Sequence, residues 1–221
     1  MNVLLESIRQ TLLPGVKIAS LDPHNPVVVH YVPPPWQVLG TGNYAAVFYH
    51  PDFPDQVVKV YAPGRSGQQE EIQVYRRLGP HPAFSQLLYA GDEFLILKRL
   101  HGITLYNAMH LGIPIPKQVI QDIDEALRYA RQRGLFPHDV HGRNVMMQDG
   151  RGLVVDVSDF LHQETCSAWK DLKTAYYWLY RPFLSPLRVR VPYFMLDLVR
   201  LVYRLWRRFT DAWGHFLLKG R

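Results

Sequence analysis

The 221-residue chain, with 48% hydrophobic and 13% aromatic residues, can bury one large core or two small lobes, and it has no long polar tract of the kind that stays unfolded. A single cysteine, Cys166, excludes an internal disulfide framework and fits a reducing compartment. The formal net charge of +6 is gathered at one end: residues 181–221 hold nine Lys/Arg against two Asp/Glu, and residues 1–180 hold sixteen against seventeen. No apolar run is long enough to span a bilayer, and Met1 to Leu13, interrupted by Glu6 and Arg9, lacks the apolar centre of a signal peptide. A cytoplasmic protein is therefore expected, with peripheral attachment to the inner face of the membrane as a variant of that expectation.

Leu4, Leu5, Ile8, Leu12 and Leu13 recur at helical spacing and stop at Pro14-Gly15, which predicts a short amphipathic helix packed on the domain or on a partner. Prolines 23, 26, 33, 34 and 35 hold the next stretch extended around Val27-Val28-Val29, as a strand or strap. Gly40-Thr41-Gly42 lies between β-forming residues, a pattern for a tight hairpin whose backbone can approach phosphates. The next strand, Gln56 to Tyr61, carries Lys59 inside an apolar run. A buried unpaired ammonium is costly, so Lys59 either faces water from an edge strand or points into a cleft and neutralises phosphate oxygens. Ser66 to Leu78 reads as a helix with Ile72, Tyr75 and Leu78 on one face; Glu71 is either a favourable charge near its N-terminus or a partner for Lys59.

Two short strands, Gln86 to Tyr89 and Phe94 to Leu97, precede a turn and a helix start near Leu105. Val119, Ile120, Ile123, Ala126, Leu127 and Ala130 mark a helix from Pro116 to Gly134. Immediately after it, Asp139 stands five residues before Asn144, and the apolar run Leu153-Val154-Val155 ends in Asp156. One carboxylate to orient a hydroxyl, with an amide and a second carboxylate to share a divalent cation, is the equipment of phosphoryl transfer. A strand-rich first half with one helix and a helix-rich second half predict an α+β fold of two lobes around a cleft. Finally, Pro192 to Trp213 reads as one helix, with Arg200, Arg204, Arg207 and Arg208 clustered and Phe194, Leu198, Leu201, Leu205 and Phe209 on another face. The expectation is that this apolar face closes the C-terminal lobe and the arginines are solvated. An anionic membrane surface is the competing partner, and nucleic acid is disfavoured.

In joint order and spacing, residues 36–180 resemble the protein kinase-like superfamily. Gly40-x-Gly42-x-x-Ala45-x-Val47 resembles the glycine-rich loop, with alanine for the third glycine; Val57-Val58-Lys59 is similar to the third-strand lysine motif; and Glu71 matches its helix partner. His81-Pro82 falls where the family often has that dipeptide, and Leu95 to Gly102 resembles the hinge with Leu97 at the gatekeeper position. The resemblance implies a two-lobed kinase-like fold: residues 1–35 as helix and strap, 36–100 as N-lobe, and 101–221 as C-lobe. It also implies ATP and Mg2+. Lys59, held by Glu71, would position phosphates under the backbone of Gly40, Thr41, Gly42 and Ala45. Adenine would bond the backbone near Lys98 to Leu100, between Val47 and Val145. Asn144 and Asp156 would be metal ligands, with Asp159 as a rival to Asp156; Asp139 would take the acceptor proton; Asp171 would anchor the catalytic loop.

Departures from the pattern narrow the reading. Pro137-His138-Asp139 replaces His-Arg-Asp, which removes the arginine that reads a phosphorylated activation loop; His141 replaces a lysine; and Asp156-Val157-Ser158 replaces Asp-Phe-Gly. Only fourteen residues separate Asp156 from Asp171, with no Ala-Pro-Glu among them, so the activation segment is nearly absent. The chain is thus similar to compact microbial serine/threonine kinases of RIO and Bud type, and to lipopolysaccharide-sugar, aminoglycoside and choline kinases. A hydroxyl on a protein is the leading acceptor, one on a small molecule is the alternative, and a non-catalytic nucleotide-binding pseudokinase is the third reading. His141 and Arg143 would add positive charge near the γ-phosphate.

Overall fold

The computed structural model describes residues 1–22, 25–164, 166–203 and 205; Thr165, Arg204 and the sequence from Trp206 through Arg207, Arg208, Phe209 and Trp213 to the end lie outside the described residues. The first half is built on five antiparallel strands: β3 (Gln37–Thr41), β4 (Ala45–Tyr49), β5 (Gln56–Tyr61), β6 (Leu87–Ala90) and β7 (Phe94–Lys98), in the order β3-β4-β5-β7-β6. β5 lies between β4 and β7, so the edge-strand alternative for Lys59 does not hold.

Alternation along β5 divides the apolar residues into two cores. Val58 and Val60 join Ala46, Phe48, Phe94 and Ile96 on the outer face. There they meet Leu4, Ile8 and Leu12 of helix α1 (residues 2–15, with a wider turn at Ile8–Leu12) and Trp36, whose indole N–H donates to Thr11 Oγ1 at 2.9 Å. The amphipathic N-terminal helix therefore covers this sheet. The proline-rich stretch forms β2 (Val28–Tyr31), paired antiparallel with β1 (Lys17–Ala19), and the Val27 N–H donates to the Gly42 carbonyl at 2.9 Å, tying the strap to the glycine turn. On the inner face, Val57 and Tyr61 pack with Ile72, Val74, Tyr75 and Leu78 of α2 (Gln68–Leu78).

The second half carries β8 (Ile103–Thr104), α3 (Leu105–Leu111), α4 (Lys117–Gln132), the hairpin β9 (Val145–Gln148) and β10 (Arg151–Val154), and α5 (Ala168–Ala175, running on through Tyr176–Leu184). All six apolar residues expected on the inner face of α4 are buried. The hairpin lies so close to α4 that a Cβ at Gly152 would stand 2.3 Å from the Val119 carbonyl oxygen. Asp122, on the same helix, is only 7% exposed; it accepts from Arg151 Nε at 2.7 Å, from the second Arg151 nitrogen at 3.1 Å and from the Gly152 N–H at 3.0 Å.

Residues 193–203 are helical, here termed α6, and they correct the expected role of this segment. Phe194, Leu198, Leu201 and Leu205 are 71%, 56%, 46% and 45% exposed, so this face does not close the lobe. That work is done by Tyr176 and Tyr180 of α5, which are buried and bond Ile115: the Tyr176 hydroxyl donates to its carbonyl and the Tyr180 hydroxyl accepts from its N–H. The side of α6 that faces the protein carries the half-buried Leu196 and polar groups bonded to the body. Tyr193 donates to Asn107, Asp197 accepts from Arg143, and Tyr203 donates to Asp171.

The bonds to Arg151 hold the Asp122 carboxyl down at about 2, helped by Gln118 and the Gly152 N–H and opposed by burial. An unfolded aspartate titrates near 3.9, so this contribution to stability is complete above about pH 4 and is lost as the pH falls through about 2. Asp122→Ala orphans the Gly152 N–H and should cost about 1–3 kcal/mol in urea unfolding at pH 7. The difference from wild type should shrink in the same measurement as the pH approaches 2.

Candidate active site

The alternation that buries Val57 and Tyr61 also turns Lys59 toward α2, where Glu71 waits one turn into the helix. Lys59 Nζ lies 2.9 Å from Glu71 Oε1 and 2.7 Å from Oε2, and 3.6 Å from Asp156 Oδ1. Glu71 is 1% exposed, and its second oxygen also accepts the Tyr61 hydroxyl at 2.6 Å. Burial pulls the Lys59 pKa down, but Asp156 and Glu71 outweigh it and leave the ammonium pKa raised. For Asp156, burial acts upward, and Lys59 with the Ser158 N–H outweighs it to leave the carboxyl below its usual range. Strand, helix and loop thus meet in one ionic cluster.

Backbone bonds fix the loop residues. The Val155 N–H donates to the Asn144 carbonyl at 2.9 Å, which sets the residue before Asp156 against Asn144. The Asn144 side-chain amide donates to the Asp139 carbonyl at 3.1 Å, leaving its own amide oxygen as a potential ligand atom. Asp139 occupies the left-handed backbone region at φ 51°, a sparsely populated conformation for a non-glycine residue and one that recurs at functional sites. Its carboxylate is half exposed and lies 3.6 Å from His141 Nε2. The Val154 N–H donates to Ala83 of the His81-Pro82 loop at 2.8 Å, so the approach to Asp156 is pinned on both sides. Asp156 Oδ1 accepts the Ser158 N–H at 3.1 Å, closing a turn, and Val157 takes a buried position. Asp159 is partly enclosed, and burial together with neighbouring Asp156 raises its carboxyl pKa.

Ala45, Leu97 and Val145 are buried in the larger apolar cluster, and Val47, expected with Val145 beside adenine, packs against it. A Cβ at Gly40 would meet nothing within 4 Å, so this side of the glycine turn is open. At the hinge, the Lys98 N–H donates to Gln86, its carbonyl accepts the Ser85 hydroxyl, and the Arg99 N–H donates to Asp55. The Leu100 backbone has no protein partner among the described residues.

Two placements differ from the sequence reading. Burial lowers the His141 pKa against the pull of Asp139, so His141 does not supply the positive charge expected of it at neutral pH. The Arg143 guanidinium is held by Asp197 Oδ1 at 2.6 Å and lies 4.1 Å from the Tyr106 ring centre. Asp171 accepts from Ser167 and Tyr203, and Tyr106 and Leu172 stand beside Gly142. Tyr61 went unrecognised in the sequence, although a position two residues from Lys59 on one strand must share its face. Asp197 carried no local signal.

An ion-paired strand lysine and helix glutamate thus meet a loop aspartate at one site. The chain belongs to the protein kinase-like superfamily and is a phosphotransferase. It is 32% identical over 170 residues, 76% of its own length and 78% of the relative's, to YrzF of Bacillus subtilis (strain 168), provisionally named a serine/threonine-protein kinase. The Mycobacterium tuberculosis PknI kinase domain, solved in single- and double-mutant forms, aligns with TM-scores of 0.44 and 0.42 at 24% and 25% identity, over 67% of this chain. The chain spans 63% and 62% of those two structures. No protein-family model matches the chain.

Removing one member of a buried ion pair leaves the other uncompensated, at a typical cost of about 3–5 kcal/mol. Lys59→Met should therefore lower unfolding stability by about that much at pH 7, and adding Glu71→Gln should restore a large part of it. A double variant less stable than the single one in urea titration would show that the pair is not the source of the loss.

Proposed function

We propose that this chain is a compact serine/threonine protein kinase that transfers the γ-phosphoryl group of ATP to a hydroxyl with Mg2+ bound. The observation that carries this reading is Lys59 bonded to Glu71 and drawn to Asp156 at once. The pairing is the assembled arrangement that phosphoryl transfer requires. The name of its Bacillus relative supports the protein acceptor.

In this reading Lys59 meets the α- and β-phosphates, the open side of Gly40 to Ala45 covers them, and the Leu100 backbone bonds adenine beside Val47, Leu97 and Val145. Asn144 and Asp156 offer hard oxygen ligands, and Lys59, Glu71 and Asp156 together carry an excess of negative charge, which suits a divalent cation. Bound there, Mg2+ would neutralise charge on the phosphate oxygens. The half-exposed Asp139 carboxylate orients the acceptor hydroxyl and receives its proton late. The acceptor oxygen bonds the γ-phosphorus as the bond to the β–γ bridging oxygen breaks, and ADP leaves. A small-molecule acceptor is the second reading. It is favoured by the segment between Asp156 and Ala168, which holds only turns among its described residues and offers no peptide platform. The pseudokinase reading is weakened because Lys59, Glu71, Asp139, Asn144 and Asp156 are all present.

The test is transfer from labelled ATP with Mg2+, using the purified chain alone and with lysate split into protein and small-molecule fractions. Label in the protein fraction supports the lead reading, label in the small-molecule fraction the second, and none in either the pseudokinase. Asp139→Asn should keep nucleotide binding and lower turnover by two or more orders of magnitude, about 3 kcal/mol or more of transition-state stabilisation. Asp156→Asn should abolish Mg2+-dependent nucleotide binding; if Asp159→Asn does so instead, the metal ligand has been misassigned.

A further inference from the structure

Helix α6 is inverted relative to an ordinary surface helix. Its polar stripe of Tyr193, Asp197 and Tyr203 is bonded to the body of the protein, at Asn107, Arg143 and Asp171. Phe194, Met195, Leu198, Val199, Leu201 and Val202 are 71%, 47%, 56%, 68%, 46% and 56% exposed. At 100° per residue these six positions span nearly half of the helix circumference. A contiguous apolar face of this size is unusual on a monomer and marks a surface that something covers. The preceding segment adds Trp178 at 79% and Phe183 at 61% exposure.

The surrounding charge identifies the cover. Arg181, Arg188 and Arg190 are exposed, and residues 181–221 carry nine Lys/Arg against two Asp/Glu. A second copy would bring the same positive charge against this one, whereas a bilayer with anionic headgroups complements it and accepts apolar and aromatic side chains to a shallow depth. No helix among the described residues is long and apolar enough to cross a membrane, so the contact lies in the plane of the surface. We propose that α6 docks on an anionic phospholipid bilayer through its outward apolar face. Through Asp197 and Arg143, next to Asn144, the docked helix sets the catalytic loop at the lipid surface. The docking stands whether or not the chain transfers phosphate.

The experiment is sedimentation of the full chain with vesicles of phosphatidylcholine, with and without phosphatidylglycerol. The wild type should bind phosphatidylglycerol vesicles at least tenfold more tightly than neutral ones and release as salt is raised. Leu198→Ser combined with Val199→Ser should lower that binding by at least tenfold while nucleotide binding and the thermal transition stay unchanged. Arg188→Gln with Arg190→Gln, away from the helix, should cost roughly fivefold for each charge and gives an independent readout if the serine variant folds poorly. Two results overturn the proposal: no binding to phosphatidylglycerol vesicles at low salt, or light scattering that shows a wild-type dimer dissociated by the serine variant.

Discussion

The ionic cluster of Lys59, Glu71 and Asp156 is the constraint on which the site depends, because it is assembled from both halves of the chain. Glu71 is almost wholly buried and Lys59 nearly so. Either charge left there without the other would take up a large part of ordinary fold stability, because its desolvation would go uncompensated. The pair therefore specifies how α2 sits on the sheet. Asp156, drawn to the same ammonium, specifies where the loop after β10 ends. The Tyr61 hydroxyl donates to Glu71 Oε2 while Lys59 reaches both oxygens, so each oxygen of the buried carboxylate has a partner.

A second tier of backbone bonds holds the loop residues that electrostatics alone could not orient. Asn144 is bonded to Val155 through its carbonyl and to Asp139 through its side chain, so three groups with prospective roles move as one unit. The strained Asp139 backbone sits inside that network, which is the setting in which such strain persists. The bond from Val154 to Ala83 adds a link from the end of β10, just before Asp156, to the turn after α2.

Between Asp156 and Ala168 the described residues form only turns and irregular backbone, and α6 lies beside the loop that carries Arg143. The Tyr106–Tyr193 and His110–Tyr193 rings stack at 5.5 and 3.6 Å between centroids, while Arg143 lies over Tyr106 and bonds Asp197. The polar side of the helix thus finds partners inside the protein. The apolar side is left outward, where hydrophobic free energy favours removal from water.

The sequence by itself determined the elements and the ionic positions. Period-2 alternation puts Lys59 on the face of Val57 and Tyr61, and the cost of burying charge leaves it an edge or a cleft; three- and four-residue steps define α4, and the spacing of Asp139, Asn144 and Asp156 marks the loop. These are local signals, carried by residues close together in the chain. Tertiary structure alone decided which way α6 faces. Its hydrophobic period says only that two faces differ; which one is buried depends on partners such as Arg143 and Asp171, far away in sequence, and on Tyr176 and Tyr180 already filling the lobe. The backbone groups left open after β7 were decided in the same way, because Gln86, Ser85 and Asp55 engage those of Lys98 and Arg99. The same holds for the charge on Arg143 and His141, where the distant Asp197 and the depth of burial, rather than residue type, determine what each side chain can offer a phosphate.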